Sequence, residues 1–186
     1  MNSRLRLLLS FFSVVAVCTT AYVAYVRTSV NVQLREANEA VAGALQVAEQ
    51  ARVKGREVDA LLNETSFKNE RAKLTASGRE ASRRYAEAAA SLRSAVDKVG
   101  GAIVTSDTEA GRTYYMMKRD SLLKRAETGE AAHEGYAVVA DESITDLATL
   151  RSRMEPHAVR AETAKAEAKR LAAEAEAFRE LHRGEF

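Results

Sequence analysis

Few residues in this chain have the types and spacing that catalysis needs. Ser121-Leu-Leu-Lys124 has the Ser-x-x-Lys spacing of serine acyl enzymes, but no Lys-Thr-Gly string accompanies it. His133, His157 and His182 stand at intervals that match no metal-ligand spacing. His133-Glu134-Gly135 lacks the second histidine that would complete a zinc pair on one helical face. Cys18 is the single cysteine and lies within residues 1–27, so the part beyond them is expected to have no disulfide and no thiol chemistry. No glycine-rich phosphate loop is present either. The chain is therefore expected to be no enzyme, with no catalytic, cofactor-binding or metal-binding residues, no cofactor and no small-molecule substrate. One modification motif stands out. Asn63-Glu64-Thr65 is an N-glycosylation acceptor in a eukaryotic secretory route.

A binding surface is better supported than a reaction. Residues 112–125 carry five basic side chains against one acid, together with two adjacent tyrosines and two methionines. Arg112, Tyr114, Tyr115, Lys118 and Arg119 form the candidate ligand or partner surface, because cations beside Tyr and Met suit an anionic or protein ligand. The plainer reading places Tyr115, Leu122 and Ala126 in a core and leaves the bases solvated.

The elements that must carry these residues are helices. The chain has 186 residues, of which 35 are alanine and one is proline. Aromatic content of 6% is too low to anchor a large globular core. From Val30 to Thr65 the apolar and small residues alternate by four and three: Val30, Leu34, Ala37, Val41, Ala44, Ala48, Ala51, Gly55, Val58, Leu62 and Thr65. That spacing is the seam of a coiled coil. It slips near Thr65–Phe67 and resumes through Leu74, Ala81, Tyr85, Ala88, Leu92, Ala95 and Val99. A slip changes the supercoil without having to end the helix. The spacing thus predicts one long helix over 28–99 and a turn over 100–106 at the Gly100-Gly101 pair. Ser106-Asp107-Thr108-Glu109 then caps a returning arm over 107–186. Breaks in that arm are expected at 128–136 and at Pro156. The two arms would be roughly 108 and 115 Å long, so the expected fold class is all-α, an elongated antiparallel hairpin or coiled-coil bundle. Its thin alanine core calls for extra packing, from a third helix or from a second copy.

Residues 1–27 read as a signal peptide or a signal-anchor transmembrane segment. Arg4 and Arg6 precede the uncharged run Leu7–Val26, which spans roughly 30 Å as a helix. Cleavage after Cys18 or Ala21 would release the rest, whereas retention would keep the chain on a membrane through Leu7–Val26. Either outcome places residues 28–186 on the cell surface or on the extracellular or periplasmic side, secreted if the leader is removed. That part carries 25 Lys+Arg against 26 Asp+Glu, and a balance so near neutral does not support nucleic acid as a partner.

The leader, the long alanine-rich helix Val30–Val99, the Gly100-Gly101 turn and the alanine-rich return arm together resemble the alanine-rich helical surface coat proteins of trypanosomes, the relatives of variant surface glycoproteins. The resemblance implies an elongated bundle standing on a cell membrane with a ligand-facing distal end. The chain departs from it in lacking cysteine pairs and in its charged C-terminal residues. The functional expectation is a non-catalytic, membrane-associated helical surface protein, a coat element or receptor-like stalk. The alternative is a membrane-anchored coiled-coil subunit of an envelope or organelle complex, whose seam would serve self-association or another helical protein.

Overall fold

The computed structural model describes the backbone of residues 3–185 and the side chains of Tyr22 and of residues 24–185. The described residues are all-helical, in five α-helices packed against one another: α1 (Ser3–Leu61), α2 (Glu64–Asn69), α3 (Arg71–Thr105), α4 (Glu109–Val139) and α5 (Leu147–Leu181). A short 3-10 turn (Arg183–Glu185) follows. Most of the leader expected over 1–27 lies outside the described side chains. Among the described residues, no helix is long and apolar enough to cross a membrane.

The chain reverses direction three times, and the first reversal corrects the single helix expected over 28–99. Helix α1 ends at Leu61, about one helical turn before the heptads slip. Asn63 caps α2 by accepting from the Ser66 amide at 3.0 Å, and its own amide donates to the Ala60 carbonyl at 3.0 Å. Phe67, 6% exposed, anchors the corner in the core. A side-chain cap beside a buried aromatic holds a reversal that the seam pattern alone does not disclose. Asn63, the expected glycan acceptor, is exposed at this corner.

The expected turn over 100–106 is corrected as well. Gly100 and Gly101 lie inside α3, which continues to Thr105, and the second reversal is the short link 106–108. Thr108 accepts from the Gly111 amide at 3.0 Å and so caps α4, close to the capping box read in the sequence. The break expected over 128–136 is helical, within α4. The third reversal falls at 140–146 instead, where Asp146 accepts from the Thr149 amide at 2.7 Å to start α5. Pro156 neither ends nor restarts α5. The carbonyl it leaves unbonded belongs to Ser152, on an exposed stretch open to solvent.

Close approach of two helices accounts for Gly129 within the expected break over 128–136, and for Gly78 on the facing helix. Among the described residues, no glycine has a positive φ. A Cβ on Gly78 would stand 2.8 Å from Val139 Cγ1, and one on Gly129 would stand 3.1 Å from the Ala89 methyl. These glycines let α3 and α4 pack closely and do not make turns.

Two clusters form the core. Ala37 and Ala44 of α1, Leu92, Ala95, Val96 and Val99 of α3, and Leu122 and Ala126 of α4 make one. Val58, Leu61, Phe67, Leu74, Val139, Ile144, Leu147 and Leu150 make the other, where the first and third reversals meet. The seam positions Ala37, Ala44, Ala51 and Val58 are buried, as are Leu74, Ala81, Ala88 and Ala95. Because the chain reverses between them, the two halves of the seam lie on α1 and α3, the helices that pack on each other within one molecule.

Candidate functional site

Each long helix packs closely on its successor: α1 on α3, α3 on α4 and α4 on α5. No comparable run of backbone contact joins α1 to α5. Arg151 at the start of α5 donates to the Leu62 carbonyl at 2.7 Å and ties the two together at the end of the bundle. Beyond that tie a groove of about 620 Å³ opens between α1 and α5. Leu45 and Ala48 come from α1, Tyr85 from α3, Tyr136 from α4, and Met154, Ala158 and Ala161 from α5. The α3 and α4 residues reach it because those helices stand between the outer two.

Tyr85 and Tyr136 give the groove its shape. Their rings stack with centroids 5.6 Å apart and planes 2° from parallel. The Tyr136 hydroxyl lies against Gly55, where a Cβ would overlap it. Burial pushes both phenols above their ordinary pKa, and the Asp59 carboxylate adds to the shift of each. At the edges Arg52 pairs with Glu49 at 3.3 Å and Lys165 with Glu162 at 2.9 Å. His157 approaches Glu134 at 3.1 Å, and Arg160 reaches the same carboxylate at 2.8 Å. Arg160, with His157 beside it, holds the Glu134 carboxyl below its usual range.

Asp59 is different. Among the described residues its carboxylate has no hydrogen-bond or ion-pair partner. It lies on the solvent-facing edge of the groove, and lost hydration raises its pKa. The groove thus combines an apolar floor, a pair of parallel aromatic faces and one uncompensated acid.

The residues named from the sequence lie elsewhere. Tyr114 is 6% exposed, and its ring sits 5.3 Å from that of Tyr115, which packs on the core. Lys118 stands 6.0 Å above the Tyr114 ring, and burial lowers its pKa. Tyr114, Tyr115 and Lys118 share a smaller hollow of about 390 Å³ with Leu34, Asn38 and Arg179. Arg112 is exposed and donates to the Ser106 carbonyl at 3.0 Å, while Arg119 pairs with Asp120 at 3.0 Å. The structure therefore gathers three of the five and leaves two outside. It also moves the whole segment. In the hairpin it stood at the end far from the leader; in the bundle it lies beside Leu34 of α1, about two turns from Val26, which is buried on the same helix.

The sequence pairs considered for catalysis are separately engaged. Ser121 Oγ donates to the Ala168 carbonyl at 3.0 Å, tying α4 to α5. Lys124 lies between Glu127 at 2.8 Å and Glu167 at 3.1 Å. His133 meets Ser82 Oγ at 2.8 Å between α3 and α4, and His182 meets Glu185 at 2.8 Å. Among the described residues, no group of three His, Cys, Asp or Glu side chains is placed to hold a metal.

Sequence reasoning placed Tyr85 in the seam and did not single out Tyr136 or Asp59. The available signal was a tyrosine in each of two alanine-rich stretches, Tyr85 and Tyr136, where a methyl-sized residue is the rule. Comparison with family models, with curated proteins and with solved structures finds no match to this chain.

Proposed function

We propose that this protein is a non-catalytic, receptor-like helical bundle, held at a membrane by residues 7–26 when the leader is retained, and that it binds its ligand in the groove between α1 and α5. The observation that carries the reading is the open α1–α5 side, which leaves an apolar cleft where a four-helix bundle ordinarily closes. Its volume falls in the range of roughly 300–1,000 Å³ typical of small-molecule sites. Tyr85 and Tyr136 supply flat, rigid contact area at low entropic cost, and Met154 adds an adaptable wall. The chemistry of the groove described above offers recognition and positioning.

A neutral solvatochromic dye tests this reading without presuming the ligand. The full chain is expected to bind Nile red at one site per molecule with a blue-shifted emission. Ala158→Trp fills the groove from an exposed position on α5 and is expected to weaken binding by about tenfold or more, while far-UV circular dichroism stays unchanged. Equal binding by the two proteins contradicts the groove as the ligand site.

A further inference from the structure

The charges around the groove point to the kind of molecule it takes, on the premise that the groove is the ligand site. Its lining holds three carboxylates, Glu49, Asp59 and Glu162, against two cations, Arg52 and Lys165, while His157 turns to Glu134 at 3.1 Å. Both cations are already engaged by acids on their own helices, Arg52 by Glu49, which also takes Arg56 at 3.4 Å, and Lys165 by Glu162. Asp59 is the lining carboxylate left without an ion-pair or hydrogen-bond partner among the described residues. It stands one helical turn from Gly55, the residue covered by the Tyr136 hydroxyl, so the acid and the stacked rings belong to one end of the groove.

We propose that the α1–α5 groove binds an organic cation with an apolar body, its charge set against Asp59 and its body laid on the faces of Tyr85 and Tyr136. Aromatic faces carry negative quadrupole charge and attract cations directly, so the rings and the carboxylate favour the same ligand. An anion of the same shape meets neither: it would approach an unpaired acid and the negative faces of two rings. Leu45, Met154, Ala158 and Ala161 give the apolar body its contact surface, which excludes a small hydrated metal ion as the preferred occupant.

Tetraphenylphosphonium and tetraphenylborate have the same apolar shape and opposite charge, and they separate the contributions. Isothermal titration of the full chain is expected to show the phosphonium binding about tenfold tighter than the borate. Asp59→Asn is expected to weaken the phosphonium by about tenfold and to change Nile red binding by less than about twofold, because only the charge is removed. Ala158→Trp is expected to weaken the phosphonium and the dye together. Equal affinity for the two ions, preference for the borate, or phosphonium binding untouched by Asp59→Asn overturns the cation proposal. If Nile red still depends on Ala158 in that case, the groove reading stands and only the ligand class fails. If Nile red is also insensitive to Ala158→Trp, both fail.

Discussion

Replacing Gly78 by leucine is expected to destabilise the protein by about 3 kcal/mol, read as a shift of the urea unfolding midpoint by far-UV circular dichroism. On α3, Gly78 faces Val139 and the backbone of α4. A Cβ there meets Val139 Cγ1 at 2.8 Å, Val139 Cβ at 3.0 Å and the Tyr136 carbonyl oxygen at 3.3 Å. The valine is fully buried and has nowhere to rotate, and the carbonyl belongs to helical backbone. A larger side chain must therefore push α4 away from α3, or turn α3 about its axis, and either motion opens the core beside it. The effect should extend to the ligand site, because the Tyr136 ring is part of it. Gly100 supplies the contrast. Nothing stands within 4 Å of a Cβ at that position, and it lies inside α3. Gly100→Ala should therefore stabilise by up to about 1 kcal/mol through helix propensity. A tight turn at Gly100-Gly101 would reverse that sign.

Leu74→Ala is expected to cost about 3 kcal/mol in the same measurement. Leu74 is fully buried at the start of α3, in the cluster with Val58, Phe67, Val139, Leu147 and Leu150. Most other buried seam positions of α1 and α3 are alanines, which bury little area each. Large aliphatic side chains gather at the end where the first and third reversals meet, and they hold both corners closed. Truncating Leu74 leaves a cavity there that rigid helix ends fill poorly. Arg71 reinforces the same place: its guanidinium donates to the Asp141 carbonyl at 2.7 Å and lies 4.8 Å over the Phe67 ring. Leu181→Ala, on a side chain 81% exposed, should change stability by less than about 0.5 kcal/mol.

The sequence disclosed the helices and their buried faces better than it disclosed the path of the chain. Most heptad positions from Val30 to Val58 and from Leu74 to Val99 are buried, with Leu34, Val41, Ala48 and Tyr85 half-buried. Apolar periodicity reports which side of a helix is covered, and it is blind to what covers it. A seam that could face a partner, or continue through one rod, instead faces its own second half. The decisive residues were modest ones. Asn63 and Phe67 mark a reversal through a cap and an anchor, while the Gly100-Gly101 pair, the stronger turn signal in general, lies inside a helix. The groove was less legible still. It exists because α1 and α5 stay apart, a consequence of how four helices are arranged. Asp59, one charge among 54, becomes distinctive only when every neighbour is seen to be paired elsewhere. The 112–125 segment was conspicuous in composition, yet most of that composition goes into burying Tyr114 and packing Tyr115.

All of this depends on the reversal at 62–70, since it sets α3 and α4 between α1 and α5 and so opens the groove. Spin labels at Glu39 of α1 and Asp97 of α3, both exposed, with Cys18→Ser to remove the native thiol, measure it by double electron–electron resonance. Lys98 and Glu36, neighbours of these positions, meet across the two helices at 2.5 Å. The labels should therefore lie within about 25 Å of each other in the full chain, a spacing of adjacent helices plus two label arms. A distance near 87 Å, the length of 58 residues of continuous helix, would mean that α1 and α3 are one rod, and the bundle and its groove would not exist.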